Sequence, residues 1–227
     1  MQMTRFSHAT GFAMTLLAGF IAPTATADDK VVLGGSAGIV VDGTYCTLAT
    51  IGHDKTGELV GFTAGHCGGP GAPVIAEGSE NHGSVGTLVA VGDGLDYGVI
   101  KFDPAKVTPA ANFADFAING IGSDPDWHQP VCTQGAANGN NCGGVATMPG
   151  PGPRRAMGHA HFQPGDDGAP VTSNGLLIGV VFGGMFVPPD LQGSPPHDFT
   201  DFFLFSAIMN DLNSKGGSGA GFSPIPG

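Results

Sequence analysis

Charge is scarce in this chain. Of its 227 residues only 12% are Asp, Glu, Lys or Arg, and the 8 basic residues face 19 acidic ones, a formal net charge of −11. Arg154-Arg155 is the only adjacent basic pair. Nucleic-acid partners are therefore disfavoured, because phosphate contacts need clustered cations. Long apolar runs are also missing after the first segment, so no later stretch spans a bilayer as a helix. With 40 glycines and 18 prolines the chain is poor in uninterrupted helix-forming sequence, yet at 41% hydrophobic it is too apolar for a disordered one. Glycines punctuating short β-branched runs point instead to an all-β protein with many turns.

The amino-terminal segment has its own logic. Arg5 and His8 precede the apolar stretch Gly11 to Ala22, and Ala25-Thr26-Ala27 supplies small residues before Asp28-Asp29-Lys30. This reads as a secretory signal peptide over residues 1–27, cleaved after Ala27, with an apolar core too short to be a membrane anchor. The expected location is secreted or cell-envelope.

Export permits disulfides, and the four cysteines fall into two local pairs, Cys46 with Cys67 and Cys132 with Cys142. Four cysteines allow three connectivities. The local pairing is favoured because both pairs close short glycine-containing segments. The spacings fit no common structural zinc pattern, and no metal or other cofactor is expected.

Along the chain, strands are expected at Val31–Leu33, Ile39–Val41, Cys46–Ile51, Leu59–Thr63, Pro73–Ala76, Gly83–Val91 and Tyr97–Phe102. A looser crossing segment, Pro104–Ile121, leads to a second series at Val131–Cys132, Cys142–Met148, Arg155–Phe162, Val171–Thr172 and Leu176–Phe182. Phe202–Leu212 has helical apolar spacing, and the Gly/Ser/Pro-rich tail after it reads as loose. The expected fold is all-β: two packed six-stranded antiparallel β-barrels, residues 28–112 and 113–214, with a C-terminal helix and a flexible tail at 215–227.

Three places carry candidate chemistry. His66 ends a strand in Thr63-Ala64-Gly65-His66-Cys67. Asp96 opens another in Asp96-Tyr97-Gly98-Val99-Ile100. Gly165-Asp166-Asp167-Gly168-Ala169-Pro170-Val171 is a sharp turn in which backbone amides can converge. A histidine, a carboxylate and a glycine-rich turn, in that order, is one of the recurring triad orders.

With those motifs the chain resembles the chymotrypsin-like serine proteases, in particular the secreted bacterial branch typified by α-lytic protease and the streptogrisins. Val32-Leu33-Gly34-Gly35 is similar to the start of that branch's mature domain, and Val131-Cys132 through Cys142-Gly143 to the disulfide loop opening its second barrel. The resemblance runs from Val31 to Gly184. It implies His66 as base, Asp96 as its orienting carboxylate, and a turn of Gly165, Asp166 and Gly168 around position 167, with the amides of Gly165 and Asp167 for an oxyanion. It also implies a cleft floored by Phe182, Gly183 and Gly184.

The departures are as informative as the matches. The nucleophilic serine falls on Asp167, which is already an anion and has no hydroxyl proton for His66 to take. Paired with the imidazole, it would favour the charged form and leave no free base. Losing the serine in such enzymes costs about a million-fold in turnover. Phe182 occupies a second position that the family fills with serine, so Asp96 loses a hydroxyl donor and a ring is expected in the cleft. No pro-region fits between Ala27 and Val31.

Bland readings cover the remaining candidates. Ser173 and Ser123 are poor substitutes for the missing serine, with Ser173 expected at a hairpin tip. His159 and His161 would share a face if they lay on a strand and could then hold a metal, but read better as ordinary strand residues. Trp127-His128 reads as surface. Asp166 is expected buried behind the turn with a cationic or amide partner, Arg154 or Arg155 being conceivable. The sequence points to a monomeric, secreted pseudoprotease that binds a peptide, protein or envelope component. The alternatives are an active endopeptidase with an atypical site and a purely structural envelope protein.

Overall fold

Strands a few residues long, each with one apolar face, have to share their burial with neighbours, and here they do so in two β units. The computed structural model describes residues 30–146, 152–188 and 197–227, so the signal peptide expected at residues 1–27 lies outside the described residues. The first unit comprises β1 (Val31–Gly34), β2 (Gly38–Val41), β3 (Thr44–Thr47), β4 (Thr50–His53), β5 (Leu59–Ala64), β6 (Pro73–Ala76), β7 (Ser84–Val91), β8 (Tyr97–Phe102) and β9 (Val107–Ala110). The segment read as a loose crossing contains β9 and three two-residue strands, β10 (Asn112–Phe113), β11 (Phe116–Ala117) and β12 (Gly120–Ile121). The second unit comprises β13 (Pro130–Gly135), β14 (Gly139–Ala146), β15 (Arg154–Gly158), β16 (Pro170–Ser173), β17 (Leu176–Val187) and β18 (His197–Leu204). Then come α1 (Phe205–Lys215) and β19 (Ser223–Pro224).

The two units close differently. In the second, the order β17-β16-β13-β14-β15-β18 returns to β17 through a direct β17–β18 pairing, which makes a closed six-stranded barrel with β12 added in parallel outside it. The first is an open sheet in the order β19-β4-β5-β8-β7-β6-β2-β3, a half-barrel. The expected pair of packed β units with a C-terminal helix is therefore present.

Three apolar clusters hold this together. Ile39, Leu48, Val74, Leu88 and Ile100 fill the first unit, and Val131, Met157, Val171, Val181 and Phe202 fill the second. Between them Phe62, Val99, Leu177, Val180, Phe205 and Ile208 form a shared core with residues from both units. Each large side chain fully buried there contributes on the order of 2 kcal/mol of transfer free energy.

Two expectations are corrected. The helix begins at Phe205 rather than Phe202, because Phe202 is fully buried inside the second barrel as part of β18. That strand carries two aspartates, which oppose strand propensity and hid it in the sequence. The tail is not loose: β19 pairs with β4, and Phe222 is buried against the rings of Phe62 and Phe205. Asp54 Oδ2 accepts the Gly219 N–H at 3.2 Å, and Ala220 O accepts the Lys55 N–H at 3.0 Å. Burial of one large ring outweighs the flexibility that the glycines confer.

Candidate active site

His66 sits in a single 3-10 turn, Gly65–Cys67, at the end of β5. Two constraints fix this turn. Cys67 is bonded to Cys46 on β3, and Gly65 donates its N–H to Asp96 O at 2.8 Å. Asp96, just before β8, adopts the left-handed region at φ 43°, a conformation that aspartate tolerates better than most residues. Its carboxylate is thereby folded back over the turn. Oδ1 accepts the His66 backbone N–H at 2.8 Å, and Oδ2 accepts Nδ1–H of the His66 ring at 2.7 Å. One carboxylate thus sets both the main chain and the tautomer of the histidine.

The glycine-rich turn reaches this pair from the other unit. Thr47 ties it down: its N–H donates to Asp167 O at 2.8 Å and its hydroxyl to Gly165 O at 2.7 Å, while it accepts Ala136 N–H at 2.9 Å. Gly168 lies against the first unit at φ 90°, and a Cβ there would fall inside Thr63 Oγ1 and Thr47 O. Only glycine serves at that position. Neither Thr47 nor Thr63 stood out in the sequence. Both are fully buried, and neither their burial nor their partners can be read from the sequence.

Asp166 lies behind the turn, 5% exposed. The arginines suggested as partners are elsewhere: Arg154 pairs with Asp201, and Arg155 donates to Gly152 O and Arg154 O. Asp166 instead accepts backbone N–H groups of Gln163 (2.9 Å), Asn138 (3.0 Å) and Ala137 (3.2 Å). Burial pushes its carboxyl above the ordinary value, and these three donors offset part of that rise.

At the turn's tip Asp167 Oδ1 lies 3.3 Å from His66 Nε2. The imidazole is therefore bracketed by two carboxylates. Asp167 first and Asp96 second push the His66 pKa up to about 10, against the opposing effect of burial. The side chains are 45% (His66), 28% (Asp96) and 18% (Asp167) exposed, so the group is open to a ligand. The N–H groups of Gly165 and Asp167 donate to no described residue.

The residues expected at the cleft, Phe182, Gly183 and Gly184, lie along β17. Gly168 N–H donates to Val181 O, and Val181 N–H to Ala169 O, which joins the turn to this strand. The pairing with β18 is irregular between Val181 and Gly183. The Phe182 ring stacks on Phe203 with centroids 4.4 Å apart, and the Arg154 guanidinium lies 5.0 Å above it. Among the described residues no hydroxyl donates to Asp96. Gly184 packs against Phe162, where a Cβ would clash with the Phe162 Cβ. A cavity of about 260 Å3 opens beside it, lined by His161, Phe162, Gly184, Met185, Phe186 and Asp198.

The remaining candidates resolve plainly. Both cysteine pairs are disulfides, Cys46–Cys67 and Cys132–Cys142, as expected. Ser173 is buried beside the hairpin tip at Asn174-Gly175 and donates to Pro130 O at 3.0 Å. His159 and His161 share no strand face: β15 ends at Gly158, His159 turns away at φ 64°, and His161 pairs with Asp198 at 2.7 Å. Among the described residues no group of three His, Cys, Asp or Glu side chains is arranged to hold a metal ion. Trp127 is 63% exposed and stacks on His128.

No protein-family model and no curated protein matches the chain. Solved structures do. A glutamic acid-specific serine protease aligns with a TM-score of 0.65 and 18% identity, covering 86% of this chain and 100% of its own. Nocardiopsis protease gives 0.61 and 20%, covering 81% and 97%, and Cellulomonas bogoriensis chymotrypsin 0.61 and 20%, covering 87% and 100%. The fold is that of the bacterial chymotrypsin-like serine proteases. In the chymotrypsin-like frame His66 and Asp96 lie on the first unit and the Gly165–Gly168 turn on the second. The hydrogen bonds of Thr47 across the cleft hold the two halves in register.

Proposed function

We propose that this chain is an exported chymotrypsin-fold protein without peptidase activity that binds a peptide, protein or cell-envelope component in its cleft. The observation that carries the reading is the His66–Asp167 pair. A serine protease needs a neutral imidazole to take a hydroxyl proton, and here a carboxylate stands in place of the hydroxyl and holds the imidazole charged. The rest of the scaffold is kept: the ordered turn, the amides beside it and the open cleft. A retained cleft with an altered reacting atom fits recognition without cleavage. The two disulfides fit an oxidising compartment, and no described helix is long and apolar enough to cross a membrane.

The test is direct. Purified protein is incubated with casein and with mixed peptide libraries, and separately with a fluorophosphonate probe. No cleavage and no labelling are expected, together with a ligand-dependent rise in melting temperature on titration with envelope peptides. Casein cleavage that disappears in His66→Ala would overturn the reading.

A further inference from the structure

An aspartate in place of serine removes one nucleophile and supplies another. Attack of a carboxylate on a peptide carbonyl gives an anhydride, which reverts. Attack on a saturated carbon that carries a leaving group gives an ester, which persists until water cleaves it. Asp167 has the surroundings that such chemistry needs. Its Oδ1 is 3.3 Å from His66 Nε2, and the far ring nitrogen is held by Asp96 at 2.7 Å. The N–H groups of Gly165 and of Asp167 itself remain without acceptors among the described residues and are free to meet an oxyanion formed at the turn.

We propose that Asp167 is the nucleophile, and His66 the proton donor and acceptor, for hydrolytic opening of an epoxide. In the first half, an Asp167 oxygen attacks a ring carbon and the C–O bond of the epoxide breaks. The departing oxygen takes the proton from His66 Nε2, leaving a neutral imidazole and a 2-hydroxyalkyl ester of Asp167. In the second half, the neutral imidazole accepts a proton from water as that water adds to the ester carbonyl. The tetrahedral oxyanion is met by the two amides. Its collapse breaks the bond between the carbonyl carbon and the alkyl oxygen, and His66 returns the proton to that oxygen. The diol leaves, and the new Asp167 carboxyl gives up its proton to the imidazole, so that only water is consumed.

The direction of proton flow selects this substrate class. An epoxide needs an acid at the start, and His66 begins protonated because Asp167 and Asp96 hold it so. A halide leaving group would need no such acid. The cavity of about 260 Å3 against Gly184 on β17, walled by Phe162, Met185 and Phe186 together with the His161–Asp198 pair, offers apolar surface for a substituent such as a phenyl ring. This activity goes beyond the binding reading and does not depend on it, since peptide cleavage and epoxide opening are read by different products.

The experiment uses the purified protein in excess over styrene oxide in 18O-labelled water. Three results are expected: phenyl diol is formed, an adduct of one epoxide mass appears transiently on the peptide containing Asp167, and one 18O atom enters the Asp167 carboxylate after a single turnover. Asp167→Asn abolishes adduct and diol, and His66→Gln slows both by about a hundred-fold or more. Diol formation no faster than in buffer overturns the proposal. So does alkylation of a histidine in place of Asp167, diol formation that survives Asp167→Asn, or an Asp167 carboxylate that stays unlabelled. The isotope measurement needs no variant and stands even where a substitution unfolds the chain.

Discussion

Nε2 of His66 and Oδ1 of Asp167 face each other at 3.3 Å, while Asp96 holds the opposite ring nitrogen at 2.7 Å. The imidazole has become a charged bridge between two carboxylates. It has little capacity left to act as a base at neutral pH.

The charge state is open to measurement. His66 is expected to remain protonated through neutral pH and to lose its proton near pH 10 in an NMR titration of its ring carbons. In Asp167→Asn the midpoint is expected to move down, because the largest contribution to the rise is removed. A His66 midpoint near the ordinary histidine value in the parent protein would refute this account.

Stability should follow the same linkage, with a definite sign. The folded-state pKa of His66 lies above that of the unfolded chain, about 6.5. Its stabilising contribution is therefore complete below pH 6.5 and is lost as pH rises through about 10. Urea midpoints taken between pH 7 and 10.5 are expected to fall more in the parent than in Asp167→Asn. The difference is limited by the 45% exposure of the ring, which screens both pairs.

Placing a hydroxyl at position 167 separates the effects of Asp167 and Phe182. Asp167→Ser is expected to react with a fluorophosphonate probe, because His66, Asp96 and the tethered turn are already in place. Peptidase activity in that variant is expected to stay low and to rise on adding Phe182→Ser, the residue that the resemblance places at this position. Full activity in Asp167→Ser alone would show that Phe182 has no bearing on the chemistry.

The turn itself can be broken at one atom. Gly168→Ala adds a methyl group at φ 90°, against Thr63 Oγ1 and Thr47 O. Destabilisation of about 2–4 kcal/mol is expected from strain and overpacking, measured by denaturant unfolding. Thr47→Val should weaken the same docking, by about 1–3 kcal/mol, through loss of its two buried hydroxyl bonds.

The tail provides a test remote from the site. Phe222→Ala is expected to cost about 3–5 kcal/mol, because its ring fills space between Phe62 and Phe205. A negligible change in melting temperature would mean that the tail is held by β19 pairing alone.

Much of this was legible in the chain before any coordinates. His66, Asp96 and the Gly165–Gly168 turn were marked by short motifs, and both disulfides by local cysteine spacing. Strand β18 was not legible, because Asp198 and Asp201 interrupt its apolar alternation. Thr47 and Thr63 were not legible either, since their role lies in bonds to residues more than a hundred positions away or across a sheet. The partners of Asp166 stayed open between a cation and an amide for a related reason. A buried carboxylate needs donors, and main-chain N–H groups, which every sequence carries, leave no mark on it.

The sequence by itself determined the class of fold, the favoured pairing of the cysteines and the carboxylate at position 167, because each depends on residue identity or local spacing. Only the tertiary structure decided that Asp167 pairs with His66, that Asp166 is served by backbone amides, and that Phe182 stacks beneath Arg154. These are matters of ångströms between distant segments. They are set by how the two β units pack over the shared core of Phe62, Val180 and Phe205, and no local pattern encodes such distances.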